Sequence, residues 1–197
     1  NAGATVVPLR PIGYQNNEVI VDNPAATYTG TWTNSTSTRF YGAGTPYRFA
    51  TAAATETATA TYTPNIPVAG YYPIYTWVNY GSDRAPGQLY KILTTGGESR
   101  IRVNHRRVGC GWVYLGTYYF NAGSNPTTGS VVISNLLPTG APAGTYVTIA
   151  DAIRFGNGMG NVNKGGGVSG YSHREESTVY WVQNGWGNGD AANDSIW

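Results

Sequence analysis

The acidic and imidazole side chains are the residues of this 197-residue chain that could carry acid–base or metal chemistry. Its two histidines, His105 and His173, lie far apart, whereas a zinc enzyme takes three protein ligands, with histidine preferred. The residues after His173 do not give the H-E-x-x-H spacing, and no G-x-S-x-G nucleophile motif occurs. A carboxylate pair for glycoside cleavage stays open among five scattered acids, namely Asp22, Glu56, Asp83, Glu98 and Asp151. We predict no catalytic residue and no metal centre, and therefore a chain that is not itself an enzyme.

Asp151 is the acid whose position is most unusual. It shares the alternation of a predicted strand, Tyr146–Phe155, with apolar residues such as Ile149 and Ile153, so it should point into the core. A buried carboxylate needs hydrogen-bond donors or a cation. We rank an internal partner first, namely Arg48, Arg84 or backbone N–H groups. A bulge that turns the side chain outward ranks second, and a structural Ca²⁺ shared with Asp22 ranks third. We therefore expect no cofactor, with Ca²⁺ as the alternative.

Aromatic residues are abundant relative to charged ones. The chain has 6 Trp and 16 Tyr, but only 11% charged residues, against about a quarter in typical soluble domains. Its surface must therefore be wetted by Thr, Ser, Asn, Gly and Tyr hydroxyl groups, which suits contact with sugars through stacking and hydrogen bonds. A net charge of +2 gives no field for a polyanion, so we predict a polysaccharide or cell-wall glycan as partner and exclude nucleic acid.

The predicted strand Tyr71–Val78 contains rings on both faces. Ile74 and Val78 share one face with Tyr72, which we expect in the core. The other face then forms an outer aromatic strip or packs beneath loops; for any single ring, core or loop packing is the commoner outcome. Trp112 shares its alternation with Tyr114, Tyr118 and Phe120 on the predicted strand Trp112–Phe120. The candidate ligand-binding rings are Tyr71, Tyr75, Trp77 and Trp112.

The turn Gly81–Gly87 supplies the polar candidates, Asp83 and Arg84. Loops often carry binding groups, and a guanidinium binds a carboxylated sugar in bidentate fashion. We predict that this turn and the neighbouring aromatic strip bind the sugar.

Short runs of β-branched and aromatic residues, broken by Gly, Pro, Asn and Ser, recur up to residue 155. They predict an all-β fold, an antiparallel β-sandwich of the jelly-roll type. The predicted strands are Val19–Asp22, Thr57–Thr63, Tyr71–Val78, Tyr90–Thr94, Arg100–Asn104, Trp112–Phe120, Ser130–Ser134 and Tyr146–Phe155.

Three regions follow from this pattern. Residues 1–17 read as an extended N-terminal arm and residues 18–155 as the sandwich. Residues 156–197 read as a Gly-rich linker, a short helix over about His173–Asn184 and an irregular tail. No apolar run is long enough to span a membrane, and the single cysteine, Cys110, excludes an internal disulfide. Few lysines, many Thr and Tyr, and the sequon Asn34-Ser35-Thr36 favour an extracellular or cell-surface location.

Several stretches together resemble the golvesin C-terminal-like domain, also called a xanthan-lyase carbohydrate-binding-domain-like module. They are VIVDN (Val19–Asn23), TGTW (Thr29–Trp32), STS (Ser35–Ser37), YRF (Tyr47–Phe49), ATATYTPNIPVAGYYPIY (Ala58–Tyr75), VN (Val103–Asn104), GCGWVYLGTYYFNAG (Gly109–Gly123) and ADAIRF (Ala150–Phe155). The resemblance implies an extracellular bacterial jelly-roll module, similar to carbohydrate-binding modules and attached to a polysaccharide lyase, peptidase or cell-wall amidase.

This chain departs from the family pattern at Asp83-Arg84, Asn104-His105 and Gly109-Cys110. If those positions line a binding surface, the ligand of this chain differs from that of its relatives.

Three functions remain in view. The first is a non-catalytic extracellular module that binds a polysaccharide or cell-wall glycan. The second is a structural subunit of a filament or surface layer, which would self-associate by adding its arm Asn1–Asn17 to a neighbour's sheet edge. The third is an insert excised from a cell-wall amidase, suggested by a faint resemblance of Gly156–Gly185 to such enzymes.

Overall fold

The alternation of apolar and polar residues produces strands throughout the computed structural model, which describes residues 17–107 and 111–157. The strands are β1 Glu18–Val21, β2 Thr27–Thr29, β3 Thr33–Asn34, β4 Arg48–Thr51, β5 Thr59–Tyr62, β6 Gly70–Val78, β7 Gln88–Thr94, β8 Gly97–Val103, β9 Gly111–Phe120, β10 Gly129–Ser134, β11 Val147–Ala150 and β12 Ile153–Gly156. A single 3₁₀ turn, Asn23–Ala25, accompanies them in these ranges. The predicted all-β class is confirmed. The sequence did not reveal β2, β3 and β4, which are short.

Residues 1–16, 108–110 and 158–197 lie outside the described residues. The predicted arm, the Gly-rich linker, the helix His173–Asn184 and the tail therefore stay predictions, as do the boundaries of the three regions. Within the described ranges, no helix is long and apolar enough to cross a membrane.

The strands form three antiparallel sheets. One has the order β1-β12-β6-β9, the second β2-β5-β10-β7-β8 and the third β11-β4-β3. The core lies between the first two sheets, because the buried apolar cluster combines Ile74, Val113 and Phe155 from one with Tyr62, Tyr90 and Ile133 from the other. Facing sheets with a shared apolar interior confirm the predicted antiparallel jelly-roll sandwich.

The prediction of one strand over Tyr146–Phe155 is wrong. This stretch forms two strands, β11 and β12, which belong to different sheets. β11 pairs with β4, whereas β12 pairs with β1 and β6. The break falls at Asp151 and Ala152, whose carbonyl oxygens accept hydrogen bonds from the Tyr62 hydroxyl and the Trp77 N–H. The chain therefore crosses between sheets at the position of the unusual buried acid.

A β-bulge in β9 also corrects the predicted alternation. Ile74 pairs with Gly116 and Tyr75 with Tyr114, so Leu115 is an extra residue between them. An extra residue reverses the side-chain alternation beyond it. Val113 and Leu115 point into the core before the bulge, and Tyr118 and Phe120 after it. Trp112 and Tyr114 are therefore on the opposite face from Tyr118 and Phe120, contrary to the prediction.

Gly116 is the residue that the bulge requires. Its φ is +124°, and a Cβ placed there would lie 2.7 Å from the Tyr118 hydroxyl oxygen. We expect Gly116→Ala to lower the free energy of unfolding by roughly 1–3 kcal/mol, as measured by urea denaturation. Gly97→Ala is the control, because Gly97 has a φ of +112° but open space around it. Equal losses in both variants would contradict a role for the Tyr118 contact.

Candidate functional site

Three aromatic pairs lie along the outer face of β6 and β9. Each pair consists of residues directly opposite one another in the two strands. Ring centroids are 5.3 Å apart in Tyr71–Tyr119, 5.4 Å in Tyr75–Tyr114 and 5.3 Å in Trp77–Trp112. We call these six residues the aromatic face. Cross-strand aromatic pairs stabilise a sheet by roughly 0.2–1 kcal/mol each, so these rings also serve the fold.

The rings of the aromatic face differ in their access to solvent. Tyr119 is 42% exposed, and Tyr71, Trp77 and Trp112 are half-buried. Tyr75 is fully buried. The structure thus brings all four predicted rings onto one face. Tyr119, which strict alternation would put on the opposite face from Trp112 and Tyr114, joins them as the most exposed member.

Tyr75 is covered by Arg154, which pairs with it from β12. The guanidinium carbon of Arg154 lies 4.1 Å from the ring centroid of Tyr75 and 5.1 Å from that of Trp112. Both are within the range of a cation–π interaction. Sequence reasoning missed Arg154, although its position between the core residues Ile153 and Phe155 indicates that it points outward.

Tyr41, from the loop between β3 and β4, packs against the tryptophan pair at the same end of the aromatic face. Its ring centroid lies 5.5 Å from that of Trp77 and 5.0 Å from that of Trp112. Its backbone N–H donates to both carboxylate oxygens of Asp151, at 3.2 Å each. This loop is therefore held in place both by ring packing and by the buried acid.

Asp151 is 2% exposed. It accepts a hydrogen bond from Asn79 Nδ2 in addition to the bond from Tyr41. Burial raises the pKa of Asp151 to about 7; these two bonds lower it in part, and the charge of Asp22 raises it further. The first-ranked interpretation, an internal partner, is confirmed. One partner is a backbone N–H as predicted, and the other is the side-chain amide of Asn79 rather than an arginine. The second-ranked interpretation, a bulge that turns the side chain outward, is wrong because Asp151 is buried.

The carboxylates of this region accept hydrogen bonds rather than forming a cage. Asp22 Oδ1 accepts the N–H of Asn23 at 2.8 Å. In residues 17–107 and 111–157, no group of three His, Cys, Asp or Glu side chains could hold a metal ion. Ca²⁺ also takes amide and backbone carbonyl oxygens as ligands, and the buried Oδ1 atoms of Asn23 and Asn79 have no hydrogen-bond partner among the described residues. The calcium alternative stays a prediction.

Arg84 and Asp83 belong to a different part of the fold. The Arg84 guanidinium is buried and donates to the Asn79 carbonyl, to Asp83 and to the Tyr47 hydroxyl. Because the guanidinium makes these three hydrogen bonds within the protein, it stabilises the turn. The prediction that Arg84 binds a ligand gains no support from these contacts. His105, the member of the Asn104-His105 pair that departs from the family pattern, is also buried, as is Asn104. That departure therefore concerns the interior rather than an exposed surface.

A small cleft of about 210 Å³ lies away from these rings. Threonines and Phe49 dominate its lining, which consists of Gly30, Thr31, Thr33, Phe49, Ala50, Thr51, Thr57, Ala58 and Asn135. All four hydrogen bonds of the Asn135 side chain go to β4 and to residues 57 and 58. The cleft thus offers hydroxyl groups but no charged side chain.

Known proteins resemble the chain over this same region. It is 39% identical over 152 residues to the xanthan lyase of Bacillus sp. (strain GL1), covering 75% of this chain but 16% of that enzyme. The structure of a Paenibacillus xanthan lyase superposes with a TM-score of 0.59 at 33% identity, over 73% of this chain and 13% of the other. The GH26-CBM35 β-(1,4)-mannanase of Podospora anserina matches with a TM-score of 0.48 at 17% identity, covering 73% and 28%, which carries no argument about function.

The chain thus spans about a sixth of the curated enzyme that it matches. The sequence profile of the golvesin C-terminal domain matches residues 19–157, which contain all the strands described above except Glu18, the first residue of β1. The chain therefore belongs to the golvesin C-terminal domain family.

Proposed function

We propose that this domain is a non-catalytic module that binds a polysaccharide or cell-wall glycan through its aromatic face. The observation that supports this most is the set of three aromatic pairs on the outer surface of one sheet. Aromatic rings present flat apolar surfaces that pack against the C–H faces of sugars, and their hydroxyl and indole groups provide hydrogen bonds. The matches to two xanthan lyases support a polysaccharide as the partner.

The length of the face favours a polymer over a single sugar. Trp77 lies six positions after Tyr71 in β6, which corresponds to roughly 20 Å along an extended strand. The exposed pair Tyr71–Tyr119 lies at one end and the tryptophan pair at the other. A ligand that contacts both ends must therefore be a chain of several sugars.

Removing one ring from each end tests the placement. A stacked ring contributes about 1 kcal/mol, so the double variant Trp112→Ala/Tyr119→Ala should weaken polysaccharide binding by roughly 30-fold. Affinity electrophoresis in gels with soluble polysaccharides, followed by calorimetry with oligosaccharides, measures this loss. Tyr80→Ala is the matched control, because Tyr80 is 47% exposed but lies beyond the end of β6.

The threonine-lined cleft provides the competing placement. Thr33→Trp would fill it without touching the aromatic face, and we expect that variant to bind normally. Loss of binding in Thr33→Trp, together with unchanged binding in Trp112→Ala/Tyr119→Ala, would move the site to the cleft. A loss in Tyr80→Ala as large as in the double variant would show that the effect is not specific to the face.

The setting of this domain is part of the same proposal. Attachment to a larger polysaccharide-degrading protein at the cell surface or outside the cell is supported by its match to a small share of a xanthan lyase. The filament subunit and the amidase insert both depend on residues outside the described ranges. Those two alternatives stay predictions.

A further inference from the structure

Arg154 combines a positive charge with an incomplete set of hydrogen bonds. Its side chain is 12% exposed. Its Nε atom is buried and has no hydrogen-bond partner among the described residues. A buried donor without a partner costs roughly 1–3 kcal/mol, and the described residues supply no acceptor for this one.

A second unmet donor lies on the same face. Trp77 Nε1 is buried and, in the described part of the chain, also has no partner. Trp77 packs against Trp112, whose ring lies beneath the Arg154 guanidinium. The tryptophan end of the aromatic face therefore holds two donors that lack acceptors.

The charge of Arg154 is only weakly balanced. Its closest carboxylate among the described ion pairs is that of Glu18, 3.8 Å from Nη1, which is beyond hydrogen-bond distance. Glu18 is itself partly exposed and accepts a hydrogen bond from Asn157 Nδ2 at 2.8 Å. A partly exposed pair at this separation contributes little. The face therefore has room for a stronger anionic partner.

Stacking prepares the guanidinium for such a partner. Tyr75 and Trp112 pack against the flat face of the Arg154 guanidinium, so hydrogen bonds to a ligand would be made at its edge, where Nε has no partner among the described residues. A planar carboxylate fits such an edge with two parallel hydrogen bonds. Tyr41 packs against both tryptophans at this end, from a loop whose residues 42–45 are exposed, so ligand binding at these donors would require its ring to move.

We propose that the aromatic face selects acidic glycans, with Arg154 binding a carboxylate of the sugar. The inference rests on the proposed function and adds a ligand class to it: polysaccharides with uronic acid residues or acidic substituents. The rings supply affinity for any sugar chain, and Arg154 determines the preference for charged ones.

The test compares one polymer with its own neutral form. Polygalacturonate and alginate are each paired with their methyl esters, which mask the carboxylate and leave the sugar unchanged. Binding is measured in EDTA, so that no divalent cation bridges protein and polymer. We expect the wild-type protein to prefer the acids by at least ~10-fold, and the preference to shrink between 50 and 500 mM NaCl because salt screens the charge.

Variants assign the preference to one residue. Arg154→Gln should bind an acid and its ester equally, whereas Arg154→Lys should retain part of the preference. Arg100→Gln is the control, because Arg100 is an exposed arginine on β8 of the other sheet. Melting curves check that each variant is folded, and the acid–ester comparison on wild type needs no variant at all.

The outcomes separate the two proposals. Equal binding of acid and ester by the wild-type protein, or a preference that survives in Arg154→Gln, overturns the acidic-glycan inference and leaves glycan binding intact. Failure to bind either form, or any neutral polysaccharide, overturns the proposed function and the inference together. Loss of the preference in Arg100→Gln as well would assign it to general surface charge and so contradict the role of Arg154.

Discussion

Asp151→Asn is expected to stabilise the domain by roughly 2–4 kcal/mol at pH 8. Burial raises the pKa of Asp151 from 3.8 in the unfolded chain to about 7 in the folded domain. The stability that this group contributes is therefore fully present below about pH 4 and is lost as pH rises through 7. An asparagine carries no charge to bury, so the gain in the variant should be small at pH 4 and largest above pH 7.

The amide also suits the neighbours of Asp151. Its oxygen can accept the Tyr41 N–H, and its NH₂ group can donate to Asn79 Oδ1, which has no partner among the described residues. Urea denaturation in EDTA at several pH values measures the difference between variant and wild type. Glu98→Gln, at an exposed ion pair with Arg100, is the control and should change little at any pH. If Asp151→Asn is less stable than the wild-type protein at pH 8, burial of the charged Asp151 carboxylate does not destabilise the fold as predicted.

His105 is expected to show the opposite pH dependence. It is fully buried, and its Nε2 lies 2.7 Å from the Tyr90 hydroxyl. That hydroxyl already accepts bonds from Thr76 and Gln88, so its own hydrogen goes to Nε2 and the imidazole carries its proton on Nδ1. Burial, and secondarily the charge of Arg84, lowers the pKa of His105 from 6.5 to about 3.

The sign follows from this lowered pKa. Below pH 6.5 the unfolded chain takes up a proton that the folded domain excludes, so stability falls as pH decreases towards 3. The loss between pH 7 and pH 4 amounts to about 3 kcal/mol. His105→Asn should remove this contribution, so the stability of the wild-type protein relative to the variant should fall by that amount between pH 7 and pH 4, whatever the stability of the variant at pH 7. The NMR signals of the His105 imidazole can be assigned by their absence in the variant, and they should not titrate above pH 4. A titration midpoint near pH 6 would contradict the prediction.

These two groups oppose each other over the same pH range. As pH rises from about 4 to 6.5, the contribution of Asp151 to the free energy of unfolding falls, and the contribution of His105 rises by a similar amount. Each single variant should therefore reveal a slope that the wild-type protein hides, and the slopes should have opposite signs. The double variant should again be nearly flat. This cancellation is independent of the absolute stability of any variant.

Strand identity was predictable because it depends on local alternation. The runs Tyr71–Val78, Trp112–Phe120 and Ser130–Ser134 each became a strand with nearly the predicted bounds. The face assigned to Ile74 and Val78 was also correct. The prediction failed where one residue alters the period, as Leu115 does in the bulge, or where a strand changes sheets, as at Asp151. Neither event changes the hydrophobic pattern enough to be seen locally.

The candidate site was predictable only in part. Alternation and the abundance of rings indicated Tyr71, Tyr75, Trp77 and Trp112, which the fold places on one face. Arg84 was favoured for its turn, but its guanidinium is used inside the protein. Arg154 and Tyr41 were missed, because they reach the rings from strands and loops that are distant in sequence.

The amino-acid sequence by itself determined that this chain would form an antiparallel sandwich with rings and hydroxyl groups on its surface, because alternation and composition act over a few residues. Only the tertiary structure decided which rings are exposed to solvent, which arginine packs against them and which buried donors lack acceptors among the described residues. The burial of a side chain depends on what covers it, and here the covering groups lie as far away in sequence as Tyr41 is from Asp151, 110 residues.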